Sequence, residues 1–157
     1  MRKIRVICVG KNQEKYIQEG IKSYEKKLRR YCNFKWDFVK EADYGKGSEV
    51  IWLQDEFKRL SKLLDPNAFT IACYDKGESL SSVQFAEKFK AIANNGYSRI
   101  DFIIGGPFGL PEEILKTSNM VLSISAMTFT HQMARLILSE QIYRAFTIIN
   151  NESYHHA

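Results

Sequence analysis

Two pairs of side chains in the stretch Leu122 to Arg144, LSISAMTFTHQMARLILSEQIYR, have the types and spacing to do chemistry. His131 and Arg135 are four residues apart, and so are Glu140 and Arg144. Groups four apart on a helix share a face, so each pair can act as a unit. An imidazole suits proton transfer near neutral pH. A guanidinium suits phosphate or a developing oxyanion. Glu140 and Arg144 read first as a structural ion pair, within the chain or across a subunit contact. The helix carrying both pairs is apolar on nearly every side, which predicts burial on nearly every side. Its polar members His131, Gln132, Arg135, Glu140, Gln141, Tyr143 and Arg144 then need partners or a task.

A second candidate is Gly105-Gly106-Pro107-Phe108-Gly109, which leaves a strand and precedes a helix. Glycines there let backbone approach a ligand closely. The run is not a dinucleotide fingerprint, and no phosphate-binding P-loop or nucleophile elbow is present. A flavodoxin-like small-molecule domain is disfavoured by these missing motifs. His131, His155 and His156 lack metal-ligand spacing with carboxylates, so no metal is expected. Cys8, Cys32 and Cys73 form no CxxC pair and read as reduced, buried thiols.

The elements that must position these groups follow from periodicity. Strands are predicted over Arg2–Val9, Phe34–Val39, Phe69–Tyr74, Arg99–Ile104 and Met120–Ile124. Helices are predicted from about Glu14 to Tyr31, after a Ser48 cap, over Val83–Ala93 behind a Ser81/Gln84 capping box, after Pro111, and from about Thr130 to Asn150. The second helix carries Ile51, Trp52, Leu53, Phe57, Leu60 and Leu64. Alternating strands and helices imply an α/β fold, a mainly parallel sheet with helices on both faces, in one domain over residues 1–157. Ligands bind beyond the carboxyl ends of such strands. Three loops should therefore meet at one edge: Tyr74–Gly77, Gly105–Gly109 and Ser125–Phe129.

Composition limits the partners. Hydrophobic residues make up 45% and charged residues 26%, with net charge +5. There is no run of about 18 apolar residues, so no membrane span is expected. Residues 1–70 carry 16 Lys+Arg against 10 Asp+Glu, whereas the remainder carries 7 against 8. Lys15, Lys22, Lys26 and Arg29 line one face of the first helix, with Lys27 and Arg30 beside them. Such a ridge suits a phosphate backbone, which it would grip without reading sequence.

GGPFGL after a strand, then LSISAMTFTHQMARLILSEQIYRAF and a terminal Tyr-His, resemble the small SPOUT-class methyltransferases of the RlmH type. The opening MRKIRVICVGK and the length match as well. The resemblance covers the whole chain and is most specific in the carboxyl-terminal third. It implies a carboxyl-terminal trefoil knot, a cytoplasmic homodimer and S-adenosyl-L-methionine as cofactor. The implied reaction is methylation of N3 of a pseudouridine in 23S ribosomal RNA on the assembled ribosome. The alternative is a non-catalytic ribosome-binding assembly factor on the same fold.

By position, the resemblance places the cofactor against Cys73, Gly105, Ile124, Ser125, Ala126, Met127, Thr128 and Phe129. His131, Arg135 and His155 become the catalytic candidates, with either histidine able to help remove the imide proton. Lys22, Lys26, Arg29, Tyr154 and His156 become RNA contacts. Three positions depart from the family pattern. Cys73 replaces Leu, and Thr130 replaces Pro, implying a looser start to the last helix. The tail reads Tyr154-His155-His156 where Arg or Lys usually ends it.

Overall fold

A computed structural model describes residues 2–155. The elements in order are β1 (Arg2–Val9), α1 (Lys15–Leu28), β2 (Cys32–Val39), α2 (Glu49–Ser61), β3 (Phe69–Ser79), α3 (Ser82–Asn94), β4 (Arg99–Ile104), α4 (Glu112–Thr117), β5 (Met120–Ser123) and α5 (His131–Ile149). The strands form one five-stranded sheet in the order β2-β1-β4-β3-β5. Every pairing is parallel. The α/β expectation therefore holds.

Alternation along each strand divides the core in two. On one face Ile4, Val6, Cys8, Ile100 and Phe102 pack with Leu28 of α1, Phe85 and Phe89 of α3, and Leu138, Ile142 and Phe146 of α5. On the other face Ile7, Val9 and Ile103 meet Leu60 of α2 and Ile114 of α4. α5 packs against both α1 and α3. None of residues 131–149 is exposed, so burial on nearly every side is what the structure shows.

Three local expectations are corrected. β3 does not end at Tyr74 but runs to Ser79, and its register with β5 shifts between Cys73 and Glu78, so residues 74–77 bulge out. Gly77 makes that bulge possible, because a Cβ there would stand 2.6 Å from the Leu122 backbone. Ser48 occupies the N-cap of α2 but makes no side-chain cap bond. The apolar face expected for α2 is only partly covered: Ile51 is 50% exposed, whereas Glu56 is buried. The Glu56 carboxylate accepts from the Ala42 N–H at 3.1 Å and the Tyr44 hydroxyl at 2.6 Å, which explains a buried acid facing the loop before α2. The capping box at Ser81 and Gln84 is formed in full.

Candidate active site

The three loops meet. A cleft of about 840 Å³ at the carboxyl edge of the sheet is lined by Cys73–Lys76, by Ile104–Gly109, by most of Ile124–Thr130, and by His131, Gln132 and Ala134 of α5. Gln13, Glu14 and Tyr16 close it from the start of α1. Of the positions expected against a cofactor, Cys73, Gly105, Ile124, Ser125, Met127, Thr128 and Phe129 line this cleft, and Ala126 does not.

Its walls are mostly backbone turns held in shape. Gly106 and Gly109 form an isolated antiparallel bridge, with the Gly109 N–H donating to the Gly106 carbonyl at 3.1 Å. Gly105 passes so close to this turn that a Cβ would collide with the Gly109 carbonyl. The loop before α5 is set by two serines. Ser123 Oγ donates to the Ser125 carbonyl at 3.0 Å, and Ser125 Oγ accepts from the Met127 N–H at 2.9 Å. Thr130 then caps α5, its Oγ1 accepting from the Met133 N–H at 3.2 Å. Replacing proline by threonine therefore exchanges a rigid φ for a capping bond, and the helix start stays anchored.

His131 is half-buried on this cleft. Burial first, and the Arg135 cation second, hold its pKa below the ordinary 6.5, against a weaker pull upward from Glu41. The imidazole is therefore neutral at physiological pH, the form that accepts a proton. Gln132 Nε2 makes a long 3.4 Å contact with its Nε2.

Arg135 departs from the expectation of a phosphate or oxyanion contact. It is 0% exposed and is not part of the cleft wall. Its guanidinium donates to the Val9 carbonyl and to Asn12 Oδ1, the latter at 3.0 Å. Among the described residues it has no carboxylate partner. Gln132 does related work: its Nε2 donates to the Lys11 carbonyl at 3.0 Å, and its Oε1 accepts from the Gln13 N–H at 3.2 Å. Both side chains fasten the loop after β1 to the first turns of α5. Sequence reasoning flagged Gln132 but assigned it no role. The available signal was a polar side chain on an otherwise apolar helix, the kind that must find partners when buried.

Cys8 and Cys32 are buried as expected, whereas Cys73 is only partly buried. Burial pushes Cys8 up to about 12, only partly offset by Arg135. Cys73 on the cleft wall is pushed up as well, chiefly by burial.

His155 is elsewhere. It meets Arg144, thirteen residues along α5 from His131, or about 20 Å at 1.5 Å per residue. Tyr154 is anchored by its neighbours and stays partly exposed. Its hydroxyl donates to Glu140 Oε1 at 3.1 Å, its ring lies edge-on to Tyr143, and Arg144 lies over its face. Burial raises its phenol pKa, with hydrogen bonds to Tyr24 and Glu140 adding to the rise. His156 lies outside the described residues. Lys22 and Lys26 on α1, and Arg29 at its C-cap, are exposed. Lys15 faces Glu19 and Arg30 pairs with Glu152, leaving those three outside both pairs.

An all-parallel sheet with a glycine-walled cleft at its carboxyl edge is a ligand-binding α/β architecture. Residues 2–155 match the family model described as predicted SPOUT methyltransferase. A protein of Trichlorobacter lovleyi named ribosomal RNA large subunit methyltransferase H is 41% identical over 154 residues, covering 98% of this chain and 99% of that one. A Streptococcus pyogenes serotype M12 protein of the same name is 39% identical over 157 residues, with 98% and 99% covered. Among solved structures, a probable methyltransferase from Bordetella pertussis Tohama I superposes with TM-score 0.60 at 12% identity, covering 92% of this chain and 96% of that one. A probable methylase family protein from Haemophilus influenzae Rd KW20 gives 0.59 at 16%, covering 99% and 71%. These two likenesses concern the fold alone. The chain belongs to the SPOUT methyltransferase family and is a methyltransferase.

Proposed function

We propose that this protein uses S-adenosyl-L-methionine to methylate N3 of a pseudouridine in 23S ribosomal RNA, on the assembled ribosome, as a knotted homodimer. The observation that carries the reading is the convergence of residues 73–76, 104–109 and 124–130 on one cleft of about 840 Å³. That volume is in the range of small-molecule sites. The residues suit the cofactor. Backbone of the Gly105 turn and the 124–129 loop lines the cleft and offers N–H and C=O groups to an adenine edge, and Cys73 and Ile124 offer apolar contact. Bound there, S-adenosylmethionine supplies an electrophilic methyl group. The chain itself must hold the base and take its imide proton. Neutral His131 on the cleft wall is the group suited to accept it. Arg135 acts at one remove, by pinning the loop after β1 and adding to the burial that lowers the His131 pKa.

Two features support a second copy. Tyr16, Met127 and Phe129, all on the cleft, are 58%, 75% and 37% exposed, an apolar rim of the kind that covers itself by association. In addition, His131 and His155 lie near opposite ends of α5, so one chain does not bring them together. The backbone contact of Gly77 with Val121 and Leu122 supports close threading of the carboxyl-terminal third. Exposed Lys22, Lys26 and Arg29 supply phosphate contacts.

Labelled S-adenosylmethionine incubated with this protein and with ribosomes lacking the modification tests the reaction. Label in 23S RNA is expected, and its absence with folded protein sinks the proposal. Calorimetric titration with S-adenosylhomocysteine separates a methyltransferase from a non-catalytic assembly factor, which would show no binding.

A further inference from the structure

We propose that Tyr44, Trp52 and Phe108 form a stacking platform for an unpaired RNA base next to the one being methylated. The proposal rests on the functional reading above.

Phe108 joins two parts of the molecule. It lines the cleft and is 39% exposed. Its ring centroid also lies 5.0 Å from that of Tyr44 and 4.8 Å from that of Trp52, and those two lie 5.5 Å apart. The planes are tilted by 49° to 74°, so no pair is stacked face to face. Tyr44 comes from the loop before α2, Trp52 from α2 and Phe108 from the glycine turn after β4. The fit against that turn is close: a Cβ on Gly106 would stand 2.8 Å from the Tyr44 hydroxyl. The cleft wall and the aromatic surface are one continuous structure.

The cluster is not core. Tyr44 and Trp52 are half-buried, and Val50 and Ile51, next to Trp52 in sequence, are 65% and 50% exposed. The polar atoms of the rings are nonetheless engaged inside the protein. The Tyr44 hydroxyl donates to Glu56 at 2.6 Å, and Trp52 Nε1 donates to the Lys46 carbonyl. Glu56 is a positioning residue: its buried carboxylate accepts from residues 42 and 44 and so fixes the Tyr44 ring. With both polar handles spent, the platform offers ring surface. Such a surface takes any base and reads none by hydrogen bonds.

The chemistry names the occupant. N3 lies on the pairing edge of the target base, so that base must be unpaired and drawn out of its stack to enter the cleft. A neighbouring base then loses its stacking partner at the cleft mouth, and aromatic side chains replace such a partner. Lys46 favours a nucleotide over a peptide there. Its carbonyl holds the indole, its side chain is 86% exposed, and its contact with Asp43 is long at 3.8 Å. An ion pair that exposed is weak, so a phosphate can take the amine.

Trp52 variants assayed on ribosomes lacking the modification test the platform. Trp52→Phe keeps a ring face, whereas Trp52→Leu keeps only apolar packing against Phe108. Leu should raise KM for ribosomes about tenfold with kcat little changed, and Phe should recover most of the loss. The Leu loss should be the same at about 50 and about 200 mM salt, because stacking releases no counterions. Trp52 does not line the cleft, so S-adenosylhomocysteine affinity should be unchanged in both variants. Equal behaviour of Leu and Phe, a loss that falls on kcat, or weakened cofactor binding overturns the stacking role. A change of oligomeric state in the Leu variant overturns it too, and assigns the patch to a second copy.

Cosedimentation of the same variants with ribosomes, with no methyl donor present, repeats the Leu–Phe comparison independently of catalysis. Wild-type protein that binds ribosomes but transfers no methyl group defeats the functional reading, while cosedimentation still judges the platform. Wild-type protein that does not bind ribosomes overturns both.

Discussion

The two ends of α5 handle buried charge in opposite ways. At the amino end Arg135 is fully buried and bonds only a carbonyl and an amide oxygen. At the carboxyl end Arg144 is bidentate to Glu140, and the pair keeps 24% and 17% side-chain exposure. The His131 pKa beside Arg135 is lowered by burial first and by this cation second, with Glu41 opposing. A cation closed on a carboxylate projects little field but holds geometry, and its neighbours Tyr154 and His155 are held in place. One end of the helix tunes a titrating group, and the other orients groups.

Four measurements break or sharpen this contrast. The largest effect is expected at the cleft served by the amino end. Gly105→Ala drives a methyl into the Gly109 carbonyl and should weaken S-adenosylhomocysteine binding at least about tenfold in calorimetry. Unchanged affinity would mean that the glycine turn is not part of the cofactor wall.

Arg135→Leu leaves the Val9 carbonyl and Asn12 unpaired and should cost about 2 kcal/mol in denaturant unfolding. It should also raise the His131 pKa, since Arg135 is one of the groups holding it down. A variant more stable than the parent would show that desolvating the charge outweighs its bonds.

Glu140→Gln should cost less, about 1 kcal/mol, because a neutral amide oxygen still accepts one bond from Arg144. Its signature is release of the tail, read as faster amide hydrogen exchange over residues 151–155 with no change in His131 titration. A shifted His131 titration would merge the two ends into one network.

The smallest effect is the pH dependence of stability through His131. Its folded pKa lies below the ordinary 6.5, so the unfolded chain binds the proton more readily. This contribution is complete above about pH 6.5 and is lost as pH falls from there through the lowered folded value. His131→Asn should remove that slope, seen as a smaller drop in unfolding midpoint between pH 7.5 and 5.5. An equal drop in both proteins assigns acid sensitivity to other groups.

Much of the site was legible because its signals are local. Periodicity placed all five strands, the Ser81–Gln84 box is an i, i+3 pattern, and a cap at Thr130 follows from its position before an apolar run. The rule that ligands bind beyond parallel strand ends was enough to bring three loops together in advance. The bulge at residues 74–77 was not legible, since turn-forming residues look alike in a loop and in a bulge. Its shape depends on β5, more than 40 positions away.

By itself the sequence determined the α/β alternation, the apolar nature of α5, the glycine turn and the spacing of both polar pairs. These depend on neighbours within about one helical turn or one strand. The Glu140–Arg144 ion pair was also legible, because it is an i, i+4 contact; tertiary structure decided what the other polar side chains do. Arg135 went to the interior because the loop after β1 folds back onto α5 with carbonyl groups to satisfy. Arg144 kept its carboxylate one turn away and gained a tail that returns to meet it. Two arginines nine positions apart on one helix thus acquired opposite electrostatic roles, because burial and longer-range partners are set by whichever distant segments arrive beside them.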